Sequence, residues 1–579
     1  MNNFVFLIFR RMRRPLLTLL VVYAVSILGL VLIPGQDADG NPWHMDFFHA
    51  FYFVSFMSTT IGFGEIPYEF TDAQRLWVSL SMYAGVISWL YAIGNILTLV
   101  QDKTFQDAIA EHRFARRIRS MRQPFYLICG YGETGSALVR GLTDVGQHVV
   151  VIEKDAQRAN LIKLENLRDY VPTLHGDAQK PLHLQEAGLE SPCCEAVVAV
   201  TNDNEANLKI AISSKLLHPD IKVICRADSA DIEKNMASFG TDHIIDPYET
   251  FATYLSTAFR VPCLYLMQRW LIGNVGDCSL AEPVYPPKSQ HWVICGYGRF
   301  GKAVHQRLVE EGIEVRVIEA RPDLTGEPRQ GVIVGRGTEA ETLLQADIET
   351  AGGLIAGTDN DANNLSIVVT ARDLNPDLFV VLRQNHSDNE RIIEAVDADM
   401  VMHPSRIIAD KIRVLLGTPM LHRFIAMAYH KENEWACELV SRISALVGRC
   451  VPDLEEVSID DYHAGAVTDA LGQGERIRIG ELLHDSWQRD RQIRCIVLML
   501  QRGGEDMLLP DPETELQPGD RMLVCAGRSG LRRLYWNMQN AGILSYVRTG
   551  EVQKHGWLWS KLFRKDNGND NVKRPLNKS

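Results

Sequence analysis

Two long apolar runs near the start of the chain restrict its fold more than anything that follows. The first extends from Leu16 to Ile33 and stops at Pro34-Gly35, and the second from about Leu76 to Val100, broken only by serines and Asn95. Each is long enough to cross a hydrocarbon core as a helix. Within lipid, every backbone polar group of such a segment has to be satisfied internally. A basic start with Arg10, Arg11, Arg13 and Arg14 would suit a cleaved leader. No small-residue cleavage site follows, however, and the second run favours two spans. Beyond that second run stand Lys103, Arg113, Arg116, Arg117, Arg119 and Arg122. Positive charge on the outer flank of both runs places both ends on the cytoplasmic side. The loop between them is then expected to open outward.

That loop contains an aromatic stretch from Asp46 to Met57, too short to span a bilayer but suited to a re-entrant helix. Ser58-Thr59-Thr60-Ile61-Gly62-Phe63-Gly64-Glu65 follows it. Glycine permits backbone angles closed to residues with a Cβ, which a pore wall made of carbonyl oxygens requires at alternate positions. The run Thr60-Ile61-Gly62-Phe63-Gly64 resembles the selectivity filter of potassium channels. The resemblance implies that carbonyls of Thr60, Ile61, Gly62 and Phe63, with the Thr60 hydroxyl, replace the hydration shell of a potassium ion. It departs from the commonest pattern in having Ile61 for Val and Phe63 for Tyr, which leaves the carbonyls in place and removes one hydroxyl. One copy of a two-span pore cannot enclose an ion path, so four chains are expected around the axis. Gly85 matches the hinge glycine of the inner helix in that family, and a close-packing role is the alternative. Gly94 is a second flexible point, and Leu97 and Thr98 are candidates for the narrowest inner ring.

Beyond Pro124 the pattern changes to buried strands alternating with helices. Phe125 to Cys129 leads into Gly130-Tyr131-Gly132-Glu133-Thr134-Gly135, and the next strand, Val149 to Ile152, ends at Glu153. This is the dinucleotide-binding fingerprint in strand–turn–helix context, with an acidic residue about twenty positions on. It then repeats. Trp292 to Cys295 leads into Gly296-Tyr297-Gly298-Arg299-Phe300-Gly301, and Val315 to Ile318 ends at Glu319. Thr201 to Leu208 answers to Thr358 to Leu365, and Asp246-Pro247 and Pro262 answer to His403-Pro404 and Pro419. Duplication is the simplest account. Phosphate is drawn to the helix N-terminus after such a turn. Arg299 would strengthen that attraction in the second copy, whereas Glu133 would oppose it in the first unless it points away. Glu153 and Glu319 are expected to accept from a ribose diol, favouring NAD or an adenine nucleotide over a 2′-phosphorylated one. Arg321 weakens that inference for the second site. Asp177 in His175-Gly176-Asp177-Ala178 is expected near the base, where the second copy has Gly335-Arg336-Gly337.

A two-span pore followed by two Rossmann-like units resembles the ligand-gated prokaryotic potassium channels with RCK domains (regulators of potassium conductance). The resemblance implies a membrane α-helical pore joined to α/β cytoplasmic domains and a small α+β C-terminal subdomain. In that family eight RCK units form a ring beneath a tetrameric pore, and four chains with two units each supply eight. The expected divisions are 1–100 for the pore, 101–123 for the linker, 124–290 and 291–440 for the RCK units, 441–530 for the C-terminal subdomain, and 531–579 for a tail. The strand Ile493 to Leu500 and the turn and strand around Leu516 to Cys525 mark the C-terminal subdomain. Trp557, Trp559, Lys561, Arg564 and Lys565 lie in the tail, where they could touch the inner membrane face. A net charge of −12 argues against nucleic acid as a partner. The eleven cysteines fall at irregular spacing without a Cys-x-x-Cys pair, and disulfides are not expected in a cytoplasmic body. Calcium could bind ring carboxylates, although no contiguous ligand loop is present. The expected function is a ligand-gated potassium channel of the inner membrane, not an enzyme. A membrane-tethered NAD-dependent oxidoreductase is the alternative, yet no substrate pocket with a positioned acid or base follows either Rossmann unit. A regulatory component of a potassium uptake system is the other, and it leaves the filter unexplained.

Overall fold

The computed structural model describes residues 2–273, 278, 280–329 and 331–551. The chain divides into two units, Met1–Ser120 and Met121–Ser579. The tail residues from Trp557 to Lys565 lie outside the described residues.

In the first unit an outer helix, Asn2–Leu32, is followed by a short helix, Phe47–Ser58, and an inner helix, Asp72–Gln101. A fourth helix, Lys103–Ser120, completes the unit. The short helix begins where the Asp46 carboxylate accepts the His49 N–H at 2.7 Å, and Thr71 and Gln74 form a reciprocal cap for the inner helix. The outer and inner helices meet through a small residue and through indole donors, as helices in lipid do. A Cβ on Gly29 would collide with the Trp77 ring. Trp77 Nε1 donates to the Ser26 carbonyl at 3.1 Å, and Trp89 Nε1 to the Tyr23 hydroxyl at 3.0 Å. The aromatic side chains of Phe53, Phe56 and Phe70 close the core beneath the short helix, together with Leu30 and Met45. Elsewhere both long helices present bare apolar side chains, among them Leu20, Leu28, Leu80, Ile87 and Leu90. Such faces are stable against lipid or against other copies, not against water.

The second unit contains two six-stranded parallel sheets of one topology. In the first, the strands lie in the spatial order Thr173–His175, His148–Glu153, Phe125–Cys129, Cys194–Ala199, Lys222–Arg226 and His243–Ile245. In the second the order is Ile333–Val334, Val315–Glu319, Trp292–Cys295, Gly353–Ala356, Phe379–Arg383 and Met400–Met402. Counted along the chain, each sheet runs 3-2-1-4-5-6, the doubly wound dinucleotide-binding order. Strands such as Phe125–Cys129 and Trp292–Cys295 are buried along their whole length, which explains their unbroken apolar sequence.

The repeated prolines start helices. Pro247, Pro262, Pro404 and Pro419 each stand at the first helical position, where a missing N–H costs nothing. These helices are exchanged between the copies. Pro247–Arg260 packs on Arg299–Glu310 of the second copy, and Pro404–Gly417 packs on Glu133–Asp144 of the first. Ile408, Ile412 and Leu415 thus complete the core of the first sheet, while Phe251, Leu255 and Phe259 complete that of the second.

The last subdomain is an antiparallel sheet in the order Asp453–Ser458, Arg521–Ala526, Cys495–Arg502 and Glu505–Leu508. Two helices, Arg528–Gln539 and Ala541–Thr549, bury Leu534, Met538, Ile543 and Val547 against it. The subdomain therefore continues past the boundary expected at 530, because the apolar spacing of these helices belongs to its core. The cysteine expectation is also corrected. Disulfides join Cys263 to Cys437 and Cys278 to Cys450, and seven cysteines are free. Separations of 174 and 172 residues carry no local signal, and only the fold brings the partners together.

Candidate functional sites

The segment after the short helix has left-handed backbone at every second residue. Thr60, Gly62 and Gly64 adopt φ of 65°, 70° and 94°. Left-handed residues at every second position break the alternation of carbonyl directions that an extended strand would show. For a β-branched residue such as Thr60 this conformation costs on the order of 1–3 kcal/mol, so its surroundings must hold it. The Thr60 and Ile61 amides donate to the Met57 and Phe56 carbonyls at 3.1 and 3.0 Å, continuing the helix end into the loop. The negative end of that helix therefore stands at the start of the segment. Phe63 packs its ring edge-on against Phe56 at 5.3 Å, an apolar anchor where the commoner tyrosine has a hydroxyl. Residues 59–65 are all exposed in the single chain. The outer end is tied down by a pair absent from the sequence reading. Arg75 donates to both oxygens of Glu65 at 2.8 and 3.1 Å, and Glu65 also accepts the Phe70 N–H at 2.8 Å. The signal for it was one acidic residue in the loop and one arginine in the first turns of a membrane helix.

Gly85 is buried against the last residue of the short helix. A Cβ there would lie 2.6 Å from Ser58 Oγ and 3.3 Å from Ser58 Cβ. Gly94 has open space where a Cβ would go, and its carbonyl accepts the Thr98 hydroxyl at 2.8 Å, a back-bond that bends helices. Leu97 and Thr98 are both exposed in the single chain.

In the first Rossmann unit, Gly130, Gly132, Glu153 and Asp177 come together around a cavity of about 310 Å³ at the carboxyl ends of the strands. Gly130 has φ of 101°, and a Cβ would press on the Thr201 backbone at 3.2 Å. Gly135 stands directly against the Gly130 carbonyl, leaving no space for a side chain. Glu153 is buried, and its oxygens accept the Tyr131 N–H at 2.5 Å and the Asp155 N–H at 2.8 Å. Each oxygen keeps one further lone-pair direction for a diol. Two residues the sequence reading did not single out, Lys154 and Arg158, also line the cavity. Lys154 pairs with Asp177 at 3.5 Å, and Arg158 is the neighbour a Cβ on Gly132 would meet, at 3.7 Å. Arg158 supplies positive charge beside the N-terminus of Glu133–Asp144, while the Lys154 charge is paired with Asp177. Basic residues directly after the acidic strand end were the available signal.

The second unit repeats the frame. Gly296 has φ of 99°, and Gly301 abuts the Gly296 carbonyl. Glu319 accepts the Tyr297 and Arg321 amides at 2.7 and 2.8 Å, and Gly298 caps the helix that starts at Arg299. The Thr-Asn repeat also has a structural cause. Asn207 and Asn364 are fully buried, and each bridges the loop after the fourth strand to the end of the fifth. Gly337 approaches Cys295 too closely for a side chain.

The contrast drawn between Glu133 and Arg299 is corrected by their contacts. Arg299 does not face the phosphate position. It donates to the Asp228 carbonyl at 2.8 Å, pairs with the Asp228 carboxylate at 3.2 Å, and stacks over Tyr248 at 5.3 Å, all in the first copy or its exchanged helix. Glu133 points the other way across the same seam and accepts from Ser387 and Ser405 at 3.3 and 3.5 Å. The first residue of each helix faces the partner copy because the exchanged helix packs on that side. Between the copies lies a larger cleft of about 930 Å³ containing Asp410 and His403. Burial raises the Asp410 carboxyl above the carboxylate range and lowers the His403 imidazole. Among the described residues no group of three or more His, Cys, Asp or Glu side chains is placed to hold a metal ion.

The TrkA-N domain family matches residues 126–247 and 292–404, the ion channel family residues 16–102, and the TrkA-C domain family residues 480–538. Potassium channel protein 1 of Methanocaldococcus jannaschii is 27% identical over 206 residues, 35% of this chain and 59% of that one. A Trk system potassium uptake protein TrkA homolog of Methanothermobacter thermautotrophicus is 30% identical over 166 residues, 28% of this chain and 76% of that one. Among solved structures, the GsuK channel aligns over 92% of this chain and 99% of its own at 16% identity, with a TM-score of 0.49. The chain spans only 35% to 59% of the lengths of the first curated relatives it matches.

Proposed function

Since the chain belongs to the prokaryotic potassium channels that carry RCK (TrkA-type) domains, we propose that four copies form a potassium-selective pore gated by an adenine nucleotide. The observation that carries this reading is the left-handed backbone at Thr60, Gly62 and Gly64, set at the end of a short helix between two membrane-length helices. Residues 59–65 and the apolar inner helix are exposed in one chain, which supports assembly around a common axis. Potassium would pass between the carbonyls of Thr60 to Phe63. The Rossmann units and both termini would lie in the cytoplasm beneath the inner membrane, eight such units to a channel.

Nucleotide binding is best supported in the first copy. Its cavity joins a helix N-terminus and Arg158 for phosphates with Glu153 for a ribose. Arg299 is committed elsewhere, so the second site loses the charge expected to favour it. A ligand shifts gating only through different affinity for the open and closed forms. The covalent route from the Rossmann units to the inner helix is the segment 101–123.

The test is calorimetric titration of NAD and ADP into the full-length protein, wild type and with Glu153→Ala, Arg158→Ala or Glu319→Ala. Loss of the Glu153 contacts should weaken binding roughly tenfold or more, the equivalent of about 1.5–3 kcal/mol. Glu319→Ala should change the tighter phase little. If none of the three weakens binding, the Rossmann units are scaffolds and the gating ligand binds elsewhere.

A further inference from the structure

We propose that Cys263–Cys437 and Cys278–Cys450 are a reversible thiol–disulfide staple that fixes the helix after the first Rossmann unit to the helix entering the C-terminal subdomain. The two pairs fasten one seam. Cys263 begins the helix Pro262–Ile272, Cys437 lies in Asn433–Val447, and Cys278 and Cys450 follow the two helices in the chain. The Cα atoms of Cys263 and Cys437 are 5.1 Å apart, a span that a disulfide bridges without backbone movement.

Contacts that do not involve sulfur hold the same seam. The Cys263 amide donates to Asn433 Oδ1 at 2.9 Å, Trp270 Nε1 to the Cys450 carbonyl at 3.1 Å, and Arg449 to the Leu280 carbonyl at 2.7 Å. Leu264, Met267, Leu271, Leu439 and Ile443 pack between the helices in one apolar cluster. Cys263 and Cys437 therefore remain apposed when reduced, and closing their bond requires no refolding.

Six of the other seven cysteines differ in kind, and the seventh, Cys193, is a half-buried free thiol. Cys129, Cys194, Cys225, Cys295, Cys495 and Cys525 are buried single thiols, and burial pushes their pKa values up, to about 12 for Cys194, Cys225, Cys295 and Cys495. A thiol held protonated is a poor nucleophile. Cys278 is exposed and Cys437 half-buried, so each pair has one member that solvent reaches. In a reducing compartment the pairs rest as dithiols. A low-molecular-weight disulfide closes them in two steps. One protein thiolate attacks it, forming a mixed disulfide and expelling a small thiolate. The second protein thiolate then attacks the mixed disulfide and expels the other. Each protein pair loses two electrons and two protons, and the small disulfide is reduced to two thiols.

The experiment uses full-length protein in nanodiscs, equilibrated with either reduced or oxidised glutathione, then denatured, alkylated and analysed by peptide mass spectrometry. Reduced protein should show eleven free thiols and oxidised protein seven, with Cys263 linked to Cys437 and Cys278 to Cys450, and excess reduced glutathione should restore eleven. In parallel, amide exchange across residues 262–272 and 433–447 should slow on oxidation of the wild type. It should not slow in the variant Cys263→Ser, Cys437→Ser, Cys278→Ser, Cys450→Ser. Eleven thiols under both conditions would overturn the proposal, as would glutathione adducts without internal bonds. Bonds that persist in excess reductant would make the staple permanent, and bonds that form without slowing exchange would remove its fastening role. Either result contradicts a switch.

Discussion

At Gly85 the absent side chain is accounted for by Ser58, whose hydroxyl is buried and has no hydrogen-bond partner among the described residues. The family resemblance suggested a hinge, with close packing as the alternative, and the contact seen is close packing of the inner helix on the last residue of the short helix. Gly85→Ala should then act through Ser58. It should reduce conduction and the fraction of correctly assembled channel, and Ser58→Ala in the same chain should restore much of both, since it removes the 2.6 Å contact. Single-channel recording of the two variants and their combination decides the matter. Equal impairment in the single and double variants would return Gly85 to a hinge role independent of Ser58. The glycines at 62 and 64 were legible because their chemistry is local to the backbone. Ser58 was not, because a serine ending an apolar helix reads as an ordinary cap until its neighbour across the bundle is seen.

Among the elements, the two parallel sheets were legible from their unbroken apolar strands, their glycine turns and the acidic strand ends. The exchange of helices between copies was not. Asp246-Pro247 and His403-Pro404 announce helix starts, but no pattern in one chain says which core a helix will complete. The commitment of Arg299 to Asp228 and Tyr248 follows from that exchange, and so escaped a reading of charge along the sequence. His403 caps the exchanged helix Pro404–Gly417 by accepting the Arg406 N–H at Nδ1, at 3.4 Å, which requires a neutral imidazole. Burial holds its pKa below the usual histidine range, with Glu133 opposing and Arg406 adding to the shift. Burial lowers His243, His305 and His422 as well. A folded state with lowered imidazole pKa values binds fewer protons than the unfolded chain. The stability these groups confer is complete above about pH 6.5 and is lost as pH falls below it. Denaturant midpoints of the full-length protein should therefore drop between pH 7.5 and 5.5. His403→Asn, which keeps a capping acceptor without a proton to gain, should drop less. A midpoint independent of pH over that range, or an undiminished drop in His403→Asn, would contradict this account of the cap.

At the scale of the whole molecule, the pore unit and the Rossmann units are joined by one covalent segment, and the account requires four chains to act together. Gly62→Ala adds a Cβ at a residue with φ of 70°, where an L side chain is strained, and should leave a protein that assembles but does not conduct. The most direct measurement is cation flux from the purified full-length protein in liposomes, comparing potassium with sodium, with and without nucleotide. The account predicts potassium flux well above sodium flux, a change in that flux when NAD or ADP is added on the face bearing the Rossmann units, and none of either through Gly62→Ala. Equal potassium and sodium flux, or undiminished flux through Gly62→Ala, would contradict it.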